Sequence, residues 1–237
     1  MSILDLIGDK RKQAIATATP ADFANTCQWL DFLYGDCNVD DGWIVIVSNS
    51  KNKISGAIQA GSKDRLIEAA RIMHRNPGCY LKINLMDYEA MMKRSDESGK
   101  FVVGNSDEVK TIVSLHLDLD ANKDAKYVDR TAAMVAINSM PLLPTLLVNS
   151  DGNCGGFHAY WKLKSPIRID SIETRDRMRS IGRQWNGRLK FMFRGDLDST
   201  FNIDRVLRCV GVPRLSGGKV CIENYDPSRL YEPEDFI

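Results

Sequence analysis

Proline is scarce in this chain, with 8 residues in 237, and glycine is ordinary at 17. Those counts exclude collagen-like and proline-rich linker character. Histidine is scarcer still, at three. The six cysteines (Cys27, Cys37, Cys79, Cys154, Cys209 and Cys221) form no C-x-x-C pair. None stands beside a histidine at zinc spacing, so a zinc element is not expected. No P-loop, repeat or low-complexity tract occurs. The longest apolar stretches, Trp43–Val47 and Leu142–Val148, fall far short of a bilayer span. Asp5 and Asp9 interrupt the first apolar stretch, so it lacks the h-region of a secretion signal. The expectation is a cytoplasmic protein with reduced thiols and no membrane partner.

What is present is a balanced globular composition. Hydrophobic residues make up 43% and charged residues 27%. A chain this long buries roughly 70–75% of its unfolded surface and needs no staples. Net charge is only +1, but its distribution is uneven. Residues 162–219 hold 14 basic and 6 acidic residues, a net of +8, whereas residues 220–237 hold 1 basic and 5 acidic. Positive charge concentrated in one stretch suits a phosphate-bearing partner.

Helix-like and strand-like segments alternate, which predicts a mixed α/β chain. Thr19-Pro20 starts a helix that carries Phe23, Cys27, Leu30 and Leu33 and stops at Gly35. Ser62 caps a helix with Leu66, Ala70 and Met73 on one face. Trp43–Val47 and Cys79–Asn84 read as strands, Asp87–Arg94 as a short helix and Ser95–Lys100 as a loop. Further on, strands are expected over Ile112–Asp120, Thr145–Asn149, Phe157–Leu163, Arg205–Val210 and Val220–Asn224, and a helix over Tyr127–Asn138. The longest helix, Ser171–Phe193, sets Met178, Ile181, Trp185, Leu189 and Met192 on one face. The expected organisation is an N-terminal helical segment (1–39), a main domain (40–225) and an acidic tail (226–237) leading toward a further domain.

Three segments carry candidate chemistry. In Ile112–Asp120 the strand period puts Val113, Leu115, Leu117 and Leu119 on one apolar face and Ser114, His116, Asp118 and Asp120 on the other. Asp118 and Asp120 then lie about 6.6–7 Å apart at Cα, close enough to repel unless a hard cation such as Mg²⁺ or Mn²⁺ sits between them. Asp118, Asp120, Asn122, Asp124 and Asp129 also fall at calcium-loop spacing. Lys123 stands where that loop needs glycine, and Asp129 where it needs glutamate. In the second segment a strand enters a turn with Gly152, Gly155 and Gly156 and returns with His158, Tyr160 and Lys162 on one face. Glycine lets backbone approach a ligand closely, and His158 is placed to donate to a phosphate. The third segment, Arg194–Lys219, sets Asp196, Asp198 and Asp204 near Arg205, Arg208, Arg214 and Lys219, acids for a metal and bases for phosphates.

Jointly these segments resemble the archaeo-eukaryotic primase (AEP) superfamily, in particular the primase-polymerases of plasmids, phages and mobile elements. Asp118-Leu119-Asp120 matches the D-x-D strand motif. Gly156-Phe157-His158, followed by Tyr160-Trp161, matches the second. Asp198, with Asn202-Ile203-Asp204-Arg205-Val206-Leu207-Arg208, matches the third. The resemblance covers about residues 40–222. Relatives follow the arginines with a Pro-Gly-Thr turn; here Cys209-Val210-Gly211-Val212 lacks the Pro and the Thr.

The resemblance implies an α/β (α+β) fold with an RRM-like catalytic sheet and an additional N-terminal α/β module. It implies a nucleotidyltransferase, a DNA primase or polymerase using two Mg²⁺ or Mn²⁺ ions. Asp118, Asp120 and Asp198 would be the catalytic metal ligands, with Asp196 competing for the third place. Asp204 is a further candidate, placed rather to orient Arg205 or Arg208. His158, Arg205, Arg208 and Lys219 would bind nucleotide phosphates. Expected partners are single-stranded DNA, ribo- or deoxynucleoside triphosphates, and a helicase or primer-initiation domain. A metal-dependent nuclease and a non-catalytic RRM-like nucleic-acid-binding module are the alternatives.

Overall fold

The computed structural model describes residues 3–100, 102–119, 129–150, 156–192, 201–215 and 217–237. Helix α1 spans Ile3–Ala16 and α2 spans Pro20–Tyr34. α2 begins at a reciprocal cap. The Thr19 hydroxyl accepts from the Asp22 amide at 3.2 Å, and the Asp22 carboxylate accepts from the Thr19 amide at 2.8 Å. Two otherwise open donors are satisfied, and Pro20 presets the helical φ. Trp29, Leu30, Leu33 and Tyr34 are buried on α2.

β1 (Trp43–Val47) and β2 (Ile54–Gln59) pair antiparallel. Helix α3 (Lys63–His74) starts at Ser62 and buries Leu66, Ala69, Ala70 and Met73. β3 (Tyr80–Lys82) and β4 (Leu85–Met86) follow, then α4 (Tyr88–Ser98). α4 runs through the Ser95–Ser98 stretch expected as loop. Its polar residues form an exposed last turn, and the stop comes from Gly99, which is left-handed at φ 61°. The remaining elements are β5 (Val109–Leu119), α5 (Arg130–Asn138), β6 (Leu146–Asn149), β7 (Phe157–Arg168), α6 (Ile172–Met192), β8 (Val206–Arg208) and β9 (Cys221–Tyr225). Among the described residues, no helix is long and apolar enough to cross a membrane.

Among the described residues, the strands form one nine-stranded sheet ordered β8-β3-β1-β4-β5-β7-β6-β9, with β2 also on β1. Every ladder is antiparallel. β3 and β4 lie end to end along the same edge of β1. Beyond them the sheet forks, because β3 pairs with β8 while β4 pairs with β5. Ile83 and Asn84 stand at the vertex. The α/β (α+β) architecture expected from the sequence is thus built on a single antiparallel sheet.

Helices cover both faces. α2 and α3 pack with Ile44, Ile46, Leu81, Val148 and Tyr160 on one side. On the other, α5 and α6 pack with Leu115, Leu117, Leu119, Phe157, Ala159 and Trp161. Met178, Ile181, Trp185 and Leu189 are the buried stripe of α6, as its spacing predicts. Val113 departs from its expected face. The β5–β7 register slips between Ile112 and Ser114, and Val113 packs with the α2–α3 core instead. The acidic residues 226–237 return to this body. Phe236 is fully buried, with its ring centroid 5.2 Å from that of Trp185.

Candidate active site

The site grows out of the β5–β7 ladder. Its register pairs Asp118 with His158 and His116 with Tyr160. Alternate residues share a face, so these four side chains lie opposite the leucine face that packs on α5 and α6. His158 Nε2 lies 3.6 Å from Asp118 Oδ1. On its other oxygen, Oδ2, Asp118 accepts a hydrogen bond from Arg205 Nη2 at 3.0 Å. Arg205 precedes β8, and Arg208 ends it. Arg208 Nη1 donates to the Ser150 carbonyl at 3.2 Å. Ser150 closes the neck of the glycine turn, where its amide donates to the Gly156 carbonyl at 3.0 Å. The three candidate segments therefore converge on one notch beside the fork.

The electrostatics follow from that crowding. Burial pushes the Asp118 carboxyl upward, but His158, Arg205 and Arg208 outweigh it and hold Asp118 below its ordinary value. Asp118 is thus ionised at neutral pH, with 18% of its side chain exposed. His116 behaves oppositely. Burial, then the Arg205 guanidinium, lower it to about 4, so its ring stays neutral.

An ionised carboxylate is a hard oxygen donor of the kind Mg²⁺ and Mn²⁺ prefer. Its two oxygens offer about four lone-pair positions, more than one hydrogen bond fills. Asp118 fits as one such ligand. Asp120, Asp196 and Asp198 lie outside the described residues, as do Gly152 and Gly155. Among the described residues, no group of three or more His, Cys, Asp or Glu is placed to hold a metal ion. Asp129, of the calcium-loop spacing, instead caps α5 by accepting from the Ala132 amide at 2.8 Å.

Arg208 also borders a cleft of about 180 Å³ that Asn49, Tyr80 and Arg214 help to line. Gly211 lies between two residues that line it, Cys209 and Val212. Its φ is +76°, and a Cβ there would meet the Asp22 carbonyl at 2.2 Å, so only glycine fits this turn against α2. Thr26 Oγ1 secures the turn by donating to the Val210 carbonyl at 2.7 Å. Lys219 does not join the Asp118 cluster. Its ammonium lies 2.6 Å from Asp22 Oδ2, at the start of α2. Asp204 turns its carboxylate to Lys82, at 3.6 Å, rather than to Arg205 or Arg208.

Two residues outside the three segments belong to this architecture. Lys82 and Asn84 are buried polar side chains at the fork. The signal for them is two polar residues interrupting the apolar run Tyr80–Met86, which a core strand tolerates only with dedicated partners.

No family model and no curated protein matches the sequence. Solved structures do share its architecture. The AEP domain of the cyanophage S-2L primase-polymerase (PrimPol) is 16% identical, with a TM-score of 0.53 over 90% of this chain and 95% of that one. The catalytic domain of the primase RepB′, solved in complex with initiator DNA, is 10% identical, with a TM-score of 0.51 over 90% of this chain and 91% of that one. The chain therefore shares the fold of the AEP domain of that primase-polymerase and of the RepB′ catalytic domain.

Proposed function

We propose that the chain is a DNA-dependent primase-polymerase that joins nucleotides on a single-stranded DNA template. One observation carries this reading: Asp118, ionised, held between His158 and Arg205 where the three candidate segments meet in an AEP-type fold. A polymerase needs hard oxygen ligands beside a grip for a triphosphate, and this notch combines the two chemistries.

Asp118, with Asp120 and Asp198 from the sequence, would hold the Mg²⁺ or Mn²⁺ ions. When bound, such ions activate the attacking 3′-hydroxyl and offset charge on the leaving pyrophosphate. Arg205 fixes one Asp118 oxygen and brings positive charge to the notch. His158 would donate to a phosphate oxygen once a nucleotide enters. Arg208 and Arg214 offer forked donors along the adjoining cleft, suited to phosphate oxygens. Lys219 serves the same polyanion only if it leaves Asp22. Template binding draws on the excess of basic residues over 162–219 and on the precedent of RepB′, whose catalytic domain was solved with initiator DNA.

The test is strand synthesis on single-stranded DNA with labelled nucleotides and Mg²⁺ or Mn²⁺, with and without a primer. Product from the parent and none from Asp118→Ala supports the reading. Template shortening without product in any lane points to a nuclease and overturns it.

A further inference from the structure

We infer that Asn84, together with Lys82, is a positioning splint that sets the Asp118–Arg205 pair by tying the two arms of the forked sheet. The inference rests on the proposed nucleotidyl transfer for its catalytic consequence, not for its geometry.

Asn84 is 1% exposed at the vertex where β8 and β5 diverge. Its carboxamide reaches both arms. Oδ1 accepts from the Val113 amide of β5 at 3.0 Å, and Nδ2 donates to the Ile203 carbonyl ahead of β8 at 2.9 Å. Its neighbours continue the pattern. The Ile83 amide donates to the Arg205 carbonyl at 3.2 Å. Lys82 Nζ donates to the Asp204 carbonyl at 2.7 Å and to the Gly104 carbonyl at 2.9 Å. The three consecutive carbonyls of Ile203, Asp204 and Arg205 are thus each held by one of three consecutive residues, 82–84.

This matters because Asp118 and Arg205 stand on different arms. Asp118 is five residues along β5 from Val113, and Arg205 is two residues from Ile203. Among the described residues, the forked sheet has no ladder between β5 and β8 to fix their separation. Asn84 supplies that link with one acceptor and one donor on a single rigid carboxamide. Asparagine fits and aspartate does not, since aspartate has no donor for the Ile203 carbonyl. Lys82, buried to 4% exposure, holds the same segment from its other side. Supporting groups of this kind, one step removed from reacting atoms, typically govern activity by about 10–100-fold.

The experiment compares the full chain with N84D, K82R, R205K and the N84D/R205K double variant in primed synthesis. N84D is expected to lower kcat by about 10–100-fold with the nucleotide KM nearly unchanged. In the R205K background the same change is expected to cost much less, because the splint acts through Arg205. Parental kcat in N84D, or effects that simply multiply in the double variant, would overturn the inference.

Hydrogen exchange reads the splint without any activity. N84D is expected to speed exchange over 203–208 while sparing 109–119, where the Val113 amide keeps its acceptor. Should N84D fail to fold, K82R carries the same measurements, and unchanged exchange over 203–208 in the folded variant overturns the splint. If the parent makes no strand, the proposed function fails and exchange still decides the splint. If the parent is active and N84D matches it, the splint fails and the function stands.

Discussion

Asp118 and His158 are direct partners across the β5–β7 ladder, with Oδ1 and Nε2 3.6 Å apart. The D-x-D strand and the strand leaving the glycine turn are therefore neighbours, and their chemistry is delivered to one point by backbone register. Register is pinned here because a one-residue slip would turn Leu117 and Phe157 out of the core. Replacing His158 by Ala should leave this ladder intact and lower the rate of nucleotide transfer by about 10²–10³-fold, the usual cost of one donor to developing charge. Steady-state incorporation on a primed template, with circular dichroism as the fold control, checks it.

Arg208 makes a different prediction. It touches the Ser150 carbonyl and borders the cleft, whereas Arg205 holds Asp118. Arg208→Gln should mainly raise the nucleotide KM, by about tenfold, the equivalent of one charge-assisted hydrogen bond of about 1.5 kcal/mol. Arg205→Lys should mainly lower kcat. Equal changes in both parameters for both variants would contradict this division.

His116 sets a pH dependence of stability. Its folded-state value is lowered to about 4 from an ordinary 6.5, so between those values the unfolded chain binds the proton more readily. Stability is therefore fully present above about pH 6.5 and is lost as pH falls toward 4, by at most about 1.4 kcal/mol per pH unit. Urea unfolding at pH 7 and pH 5 should show this loss in the parent, and His116→Phe should reduce it.

The last residues of the chain are structural. Phe236 is fully buried against Trp185, which in turn stacks edge-on with Trp161 at 5.4 Å. Phe236→Ala should cost about 3–5 kcal/mol, as for other large core truncations. A fall in the urea midpoint at unchanged slope measures it.

These outcomes also show why some features were legible in the sequence and others were not. Asp118, His158, Arg205 and Arg208 stood out because strand period and local spacing mark each within its own segment, and the resemblance to AEP primases groups the three segments. Caps at Thr19 and Ser62 and the α6 stripe are likewise local. β2 was missed because Ile54–Gln59 mixes small and polar residues, all only partly buried. Lys82 and Asn84 were missed because their partners ahead of β8 lie 122 and 119 residues away, and no short-range pattern encodes such pairs. Lys219 looked like a phosphate ligand by its place after Arg208, yet its ion pair with Asp22 spans 197 residues. The slip that turns Val113 toward α2 and α3 depends on the partner strand, not on β5 itself.

The central claim is nucleotidyl transfer at the Asp118 notch. The most direct test is a single-turnover reaction on a primed template with Mn²⁺, measuring pyrophosphate released and nucleotide incorporated together. The account predicts one pyrophosphate per nucleotide from the parent and neither from Asp118→Asn. Incorporation that survives in Asp118→Asn, or release of mononucleotides from the template without pyrophosphate, would contradict it.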